Sequence, residues 1–129
     1  MKLHSITCGY FKLDGGAMFG VVPKPLWEKT NPADANNRIE MCSRSLLIEE
    51  GDRLILIDTG MGSKQTEKFF GYYDRSGPYN LDASLHKKGF HRDDITDVFL
   101  THLHFDHCGD AIIKTKNGVL TPAFKNAIF

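Results

Sequence analysis

Thr101-His102-Leu103-His104-Phe105-Asp106-His107 is the stretch on which the reading of this 129-residue chain turns. Side chains alternate along an extended backbone, so His102, His104 and Asp106 fall on one side, and His107 is reached only after the chain turns. That arrangement suits two neighbouring metal ions. Neutral imidazoles and a carboxylate are borderline ligands that zinc, iron, manganese and cobalt all accept, and no thiolate in the run narrows the choice; two zinc ions are the first expectation. A dense cluster of imidazoles and a carboxylate needs partners, and a metal supplies them. A catalytic centre of this kind keeps a position for water and lowers its pKa toward about 7, which points to hydrolysis, with Asp106 placed both to bind metal and to hold the proton.

Working outward, Val98-Phe99-Leu100-Thr101 predicts a short buried strand that delivers the motif at its end. Further upstream, a strand beginning at Arg38 reaches the turn Glu49-Glu50-Gly51-Asp52 and returns as Arg53-Leu54-Ile55-Leu56-Ile57, the clearest hairpin in the chain. The second arm is apolar at nearly every position, as for a strand covered on both faces, and it stops at Asp58-Thr59-Gly60-Met61-Gly62. Residues 64–79, with Phe69, Phe70, Tyr72 and Tyr73 before Ser76-Gly77-Pro78, read as a short helix ending in a loop. A two-turn helix follows, capped by Asn80 or Asp82, with Leu81 and Leu85 four apart, Lys87 and Lys88 in its last turn and Gly89 beyond. Asp93-Asp94 opens another turn.

At the N-terminus, Leu3, Ile6, Cys8, Tyr10, Phe11 and Leu13 read as an opening strand closed by a turn at Asp14-Gly15-Gly16. Residues 17–37 combine Met18, Phe19, Trp27 and three prolines, which excludes a regular helix and reads as a long aromatic loop. Such loops line sites, so Phe19 and Trp27 are candidate substrate contacts, with ordinary aromatic packing as the equal alternative. Beyond the motif, Asn117-Gly118 makes a turn, Val119-Leu120 begins an apolar segment that Pro122 interrupts, and the chain closes on Ala127-Ile128-Phe129.

Hydrophobic content of 41% and charged content of 25% fit one globular domain, spanning residues 1–129. Sixteen basic residues balance sixteen acidic ones, so no electrostatic footprint for nucleic acid or an anionic membrane is present, and a small-molecule substrate is expected instead. Cys8, Cys42 and Cys108 are widely spaced and odd in number, which excludes a disulfide framework and a CxxC site and predicts buried reduced thiols. The first ten residues lack a continuous apolar run, so a cytoplasmic protein is expected. His4, His86 and His91 stand alone and read as surface or cap residues.

The motif resembles the HxHxDH signature of the metallo-β-lactamase superfamily, and Leu56-Ile57-Asp58-Thr59-Gly60 is similar to that family's strand followed by an Asp-Thr-Gly loop. The resemblance implies an α/β (α+β) fold, the αββα sandwich, of which this chain resembles the N-terminal half. It implies that His102 and His104 bind a first metal, that Asp106 and His107 bind a second, and that Asp58 orients a ligand histidine, a turn cap being its rival role. Phe105 within the motif and the aromatic loop look most like the branch of acyl-homoserine-lactone lactonases and organophosphate-type hydrolases. That family uses a further histidine, a bridging aspartate and a last histidine downstream, whereas here no histidine follows His107 and Asp110 is the sole later acid. The expectation is therefore a truncated domain whose open sheet face self-associates or awaits a complementing C-terminal half. The expected activity is metal-dependent hydrolysis of a small ester or lactone. A phosphodiesterase or nuclease on the same fold, and a non-catalytic metal-binding fragment, are the alternatives.

Overall fold

A computed structural model describes residues 1–78 and 80–129; the last position of the stretch read as helix and loop, Tyr79, lies outside the described residues. The opening strand β1, Lys2–Asp14, pairs antiparallel with β2, Arg38–Glu50, along its whole length, with one register shift between Thr7 and Gly9. The predicted hairpin follows: β2 turns through Gly51, whose φ of 56° suits glycine, into β3, Arg53–Ile57. Strand β4, Asp97–Phe99, lies parallel to β3, giving the sheet order β1-β2-β3-β4.

Parallel neighbours need a crossover, and two helices supply it: α3, Glu67–Tyr72, and α4, Leu81–Lys87. Helix α4 forms for the reasons its sequence states. The Asn80 side chain accepts from the Ala83 N–H at 2.8 Å, satisfying one of the free donors of the first turn. At the other end Gly89, with φ 85°, donates to the His86 carbonyl and Phe90 donates to that of Leu85, closing the helix as a Schellman motif. Leu81 and Leu85 point from α4 onto Ile6, Leu47, Leu54, Leu56 and Val98 on one face of the sheet, with Ile95 and Phe124 completing the core. Each such side chain contributes about 1.5–3 kcal/mol by leaving water.

The other sheet face is where the expectation for β3 fails. In register, Leu3, Ile48 and Ile55 form one row, and Leu46, Ile57 and Phe99 another. Phe99 is 60% exposed and Leu3 59% exposed, while Ile48, Ile55 and Ile57 between them are half-buried, so among the described residues this apolar face is partly open and β4 buries only Val98. Fully apolar strands read as covered on both sides, yet the chain described here covers one fully.

Two local readings also change. Asp14-Gly15-Gly16 is the start of a helix rather than a turn: the Asp14 carboxylate accepts from the Ala17 N–H at 2.8 Å and caps α1, Gly15–Phe19. The prolines of the aromatic loop permit a second short helix, α2, Lys24–Trp27, because Pro25 sits in its first turn, where no hydrogen bond is lost. After the short helix α5, Phe105–Cys108, the chain adds a separate two-stranded sheet of β5, Ile112–Lys114, and β6, Leu120–Pro122, around the predicted Asn117-Gly118 turn. The terminal segment lies beside β4, where the Val98 N–H donates to the Ile128 carbonyl at 2.8 Å. No helix among the described residues is long and apolar enough to cross a membrane.

Candidate metal centre

Strand β4 ends at Phe99 and releases the motif into an extended segment, followed by α5. The turn into α5 brings His107 back toward its predecessors. The rings of His102 and His107 lie 4.0 Å apart by their centroids, and those of His102 and His104 lie 4.6 Å apart. All four motif side chains therefore gather at one sheet end.

The loop after β3 is the partner that holds them. Asp58 adopts a left-handed backbone with φ 58°, which aspartate tolerates better than most residues, and is only 9% exposed. Its carboxylate accepts from the Thr101 N–H at 2.9 Å, from the Thr101 hydroxyl at 2.9 and 3.0 Å, and from His107 Nδ1 at 2.8 Å. Burial alone pushes its pKa up, but the hydrogen bonds from His107 and Thr101 and the His107 charge outweigh it, holding the carboxyl below the usual range. Thr59 runs alongside, its N–H and hydroxyl both donating to the His107 carbonyl at 2.7 and 3.1 Å. Ser43 on β2 donates to the Asp106 carbonyl at 3.2 Å. The backbone of α5 is thus fixed by Thr59, just past the end of β3, and by Ser43 within β2, both more than 40 positions earlier.

Whether these side chains suit a metal is a question of spacing. Zinc–nitrogen bonds of about 2.0–2.1 Å at a tetrahedral angle place two ligand atoms about 3.3 Å apart. His102 Nε2 and His104 Nδ1 are 3.1 Å apart, and His107 Nε2 and Asp106 Oδ2 are 3.5 Å apart. Each pair fits as two donors to one ion. The Asp58 bond to Nδ1 of His107 leaves Nε2 as the free donor, the carboxylate–histidine support typical of metal ligands. Among the described residues, no group of three His, Cys, Asp or Glu side chains has the geometry to hold an ion, so neither pair gains a third protein donor there.

Aromatic side chains border the motif on its α3 side. Phe105 meets Tyr73 at 4.5 Å and Phe69 at 5.4 Å between ring centroids, and Phe69 meets Tyr73 at 5.1 Å. Sequence reading left Phe69 and Tyr73 as helix residues, since nothing local ties them to Phe105. Phe19 and Trp27 lie elsewhere. They stack on each other with centroids 5.0 Å apart over Gly15, where the indole approaches so closely that an added Cβ would lie 2.4 Å from it.

A cleft of about 750 Å³ opens beside the 58–62 loop, lined by Tyr10, Ser43, Met61, Arg75 and Arg92 among others. Neither the motif ligands nor Phe19 and Trp27 line it. Asp110, the sole acid after the motif, is buried on its wall and accepts from Arg92 Nη2 at 2.6 Å. Desolvation raises its pKa, with Arg92 offsetting part of the rise. The solitary histidines have ordinary partners: His4 contacts Glu49 at 3.2 Å, and His91 caps the turn Arg92–Asp94 while stacking with His86.

The three cysteines are free and partly buried. Burial pushes the Cys8 thiol from 9.0 to about 11, the hydrogen bond with Ser45 offsetting only part of the effect. Thiolate is the reactive form, so at pH 8 iodoacetamide should modify Cys8 about a hundredfold more slowly in the folded chain than in urea. Because the folded value is raised, the associated stability is fully present below pH 9 and is lost as pH rises through about 11. Mass-spectrometric peptide mapping of timed alkylations measures the rate; equal rates in both states would show that Cys8 is not shielded as described.

Residues 43–113, over half of the chain, match the family model of the metallo-beta-lactamase superfamily. A "probable metal-dependent hydrolase" from Staphylococcus aureus superposes with a TM-score of 0.87 at 36% identity, over 98% of this chain and 45% of its own. AidC, a dizinc quorum-quenching lactonase solved with an N-acyl homoserine product, superposes with a TM-score of 0.68 at 32% identity, over 97% of this chain and 39% of its own. The hydrolase AbOPH superposes with a TM-score of 0.66 at 25% identity, over 97% and 39%. The chain thus spans less than half the length of these proteins. No curated protein sequence matches it.

Proposed function

The chain belongs to the metallo-β-lactamase superfamily, with the mixed sheet-and-helix architecture of that fold, and on this premise we propose that it carries the ligand-bearing part of a metal-dependent hydrolase for small esters or lactones. The observation that carries the reading is the pairing of donors: His102 with His104, and Asp106 with His107, each at the spacing of two ligands on one ion. The proposed occupants are two divalent ions, zinc first, with iron, manganese or cobalt compatible with the same donors. Metal bound there supplies Lewis-acid polarisation of a carbonyl oxygen and activation of water near neutral pH.

The chain's own residues do the rest. His102 Nε2, His104 Nδ1 and His107 Nε2 present lone pairs, and the Asp106 carboxylate adds negative charge, with Oδ2 as the donor paired with His107 and its other oxygen left to accept a proton. Asp58 keeps the His107 ring aimed. The cluster of Phe69, Tyr73 and Phe105 offers an apolar wall beside the ligands, which favours a substrate with a hydrocarbon arm over a phosphodiester. The neutral charge balance points the same way, since nucleic-acid backbones require basic contacts.

Equilibrating the purified chain with zinc, removing free metal and measuring content should give about two ions per chain, falling to about one or fewer in Asp106→Ala. The loaded chain is then offered N-hexanoyl homoserine lactone, a phosphotriester and bis(p-nitrophenyl) phosphate. Ring opening of the lactone supports the proposal. Cleavage of the diester alone transfers the site to phosphodiester chemistry, and less than one ion with no turnover makes this chain a non-catalytic metal-binding fragment.

A further inference from the structure

We propose that Thr101 sets which nitrogen of His102 is free to bind metal, by linking that ring to the Asp58 carboxylate through its hydroxyl. This rests on the reading of His102 as a ligand. The Thr101 hydroxyl oxygen lies 2.9 and 3.0 Å from the two Asp58 oxygens and 3.1 Å from His102 Nδ1. A hydroxyl has one hydrogen and two lone pairs. A carboxylate offers only acceptors, so the contact with Asp58 is favourable only if the hydroxyl hydrogen points there; otherwise oxygen lone pairs face oxygen lone pairs at 2.9 Å. The hydroxyl is then an acceptor toward His102, and Nδ1 must carry the ring hydrogen. Nε2 is left with a lone pair.

That free nitrogen is the one facing His104 Nδ1 at 3.1 Å, in the donor pair described above. The same Asp58 carboxylate accepts directly from His107 Nδ1, so one acid sets both rings: His107 by contact, His102 through Thr101. The Thr101 N–H on Asp58 Oδ1 fixes the backbone from which the hydroxyl reaches. Thr101 is therefore a positioning residue that joins the two donor pairs through one buried acid. Neutral imidazole in water prefers the hydrogen on Nε2, the atom a ligand needs free, so without the hydroxyl the ring must change tautomer before it binds.

Long-range ¹H–¹⁵N correlation spectra of the full, metal-free chain report the tautomer of each histidine directly. The expected result is His102 with hydrogen on Nδ1 in the wild type and in Thr101→Ser, and on Nε2 in Thr101→Val. Zinc competition with a chromophoric chelator should show affinity about tenfold weaker in Thr101→Val and unchanged in Thr101→Ser. His102 protonated on Nε2 in the wild type overturns the inference without recourse to any variant. So does a Thr101→Val chain that keeps hydrogen on Nδ1, or a serine variant that behaves like valine. If the tautomer switches while zinc affinity stays constant, the link through Thr101 stands and the reading of His102 as a ligand falls.

Discussion

Asp58→Ala should cost about 2–4 kcal/mol of folding stability and weaken zinc retention by about ten- to a hundredfold. Three separate losses add. The Thr101 N–H and hydroxyl and His107 Nδ1 all lose their acceptor; Thr101 is exposed and His107 half-buried, so water replaces part of what is lost and the three bonds together cost about 1–2 kcal/mol. The backbone at position 58 stays at φ 58°, a conformation that costs alanine about 1–2 kcal/mol. The His107 ring then loses the bond that aims Nε2, so the effect reaches the metal without touching a ligand. Asp58→Asn separates the terms, because asparagine tolerates the left-handed backbone and keeps one acceptor oxygen while removing the charge. It should recover much of the stability and little of the affinity. Urea unfolding and chelator competition on the same preparations measure both, and an alanine variant with unaltered zinc affinity would remove Asp58 from any role in the centre.

Gly109→Ala should be the most damaging single-methyl change in the chain, lowering stability by about 3 kcal/mol or more and the melting temperature by roughly 10 °C. An added Cβ would lie 2.1 Å from the Met61 carbonyl oxygen and 2.6 Å from its carbon, so the obstacle is backbone and no rotamer relieves it. Movement to accommodate the methyl separates the 58–62 loop from the end of α5. The contacts from Thr59 to His107 and from the Asp110 N–H to the Gly60 carbonyl would be lost with it. Gly71→Ala is the control. Within α3 its added Cβ meets nothing within 4 Å, so alanine should stabilise by about 0.5–1 kcal/mol. Thermal unfolding of the two variants decides: a Gly109→Ala chain melting within about 2 °C of the wild type would contradict the close approach.

Where sequence and structure agree, the signal is local. The hairpin of β2 and β3 is written in two apolar runs around Gly51, and α4 in Asn80, Leu81, Leu85 and Gly89, because caps and turns act within a few residues. Where they part, the deciding contact is distant or the local signal is mixed. Short helices α1 and α2 sit in a segment whose prolines and glycines argue for loop, yet Pro23 and Pro25 fall at the start of α2, where a helix accepts them. Strand β5, with a lysine after two isoleucines, has too short a pattern to read. Phe99 looks like a core residue and is exposed, since composition records apolarity but not what lies opposite.

The heptapeptide at 101–107 named its own chemistry: three imidazoles and an acid at fixed spacing, together with the Asp-Thr-Gly loop, were enough for the family, and the family model agrees. What only the tertiary structure decided is how that donor set is held. Thr101 and Asp58 meet across 43 positions, the aromatic wall of Phe69, Tyr73 and Phe105 joins two elements, and α5 hangs on Thr59 and Ser43. Donor identity is a property of residue type and can be read one position at a time. Donor orientation depends on the parallel pairing of β3 with β4, which sets two strand ends side by side, and no local pattern specifies which strands will pair.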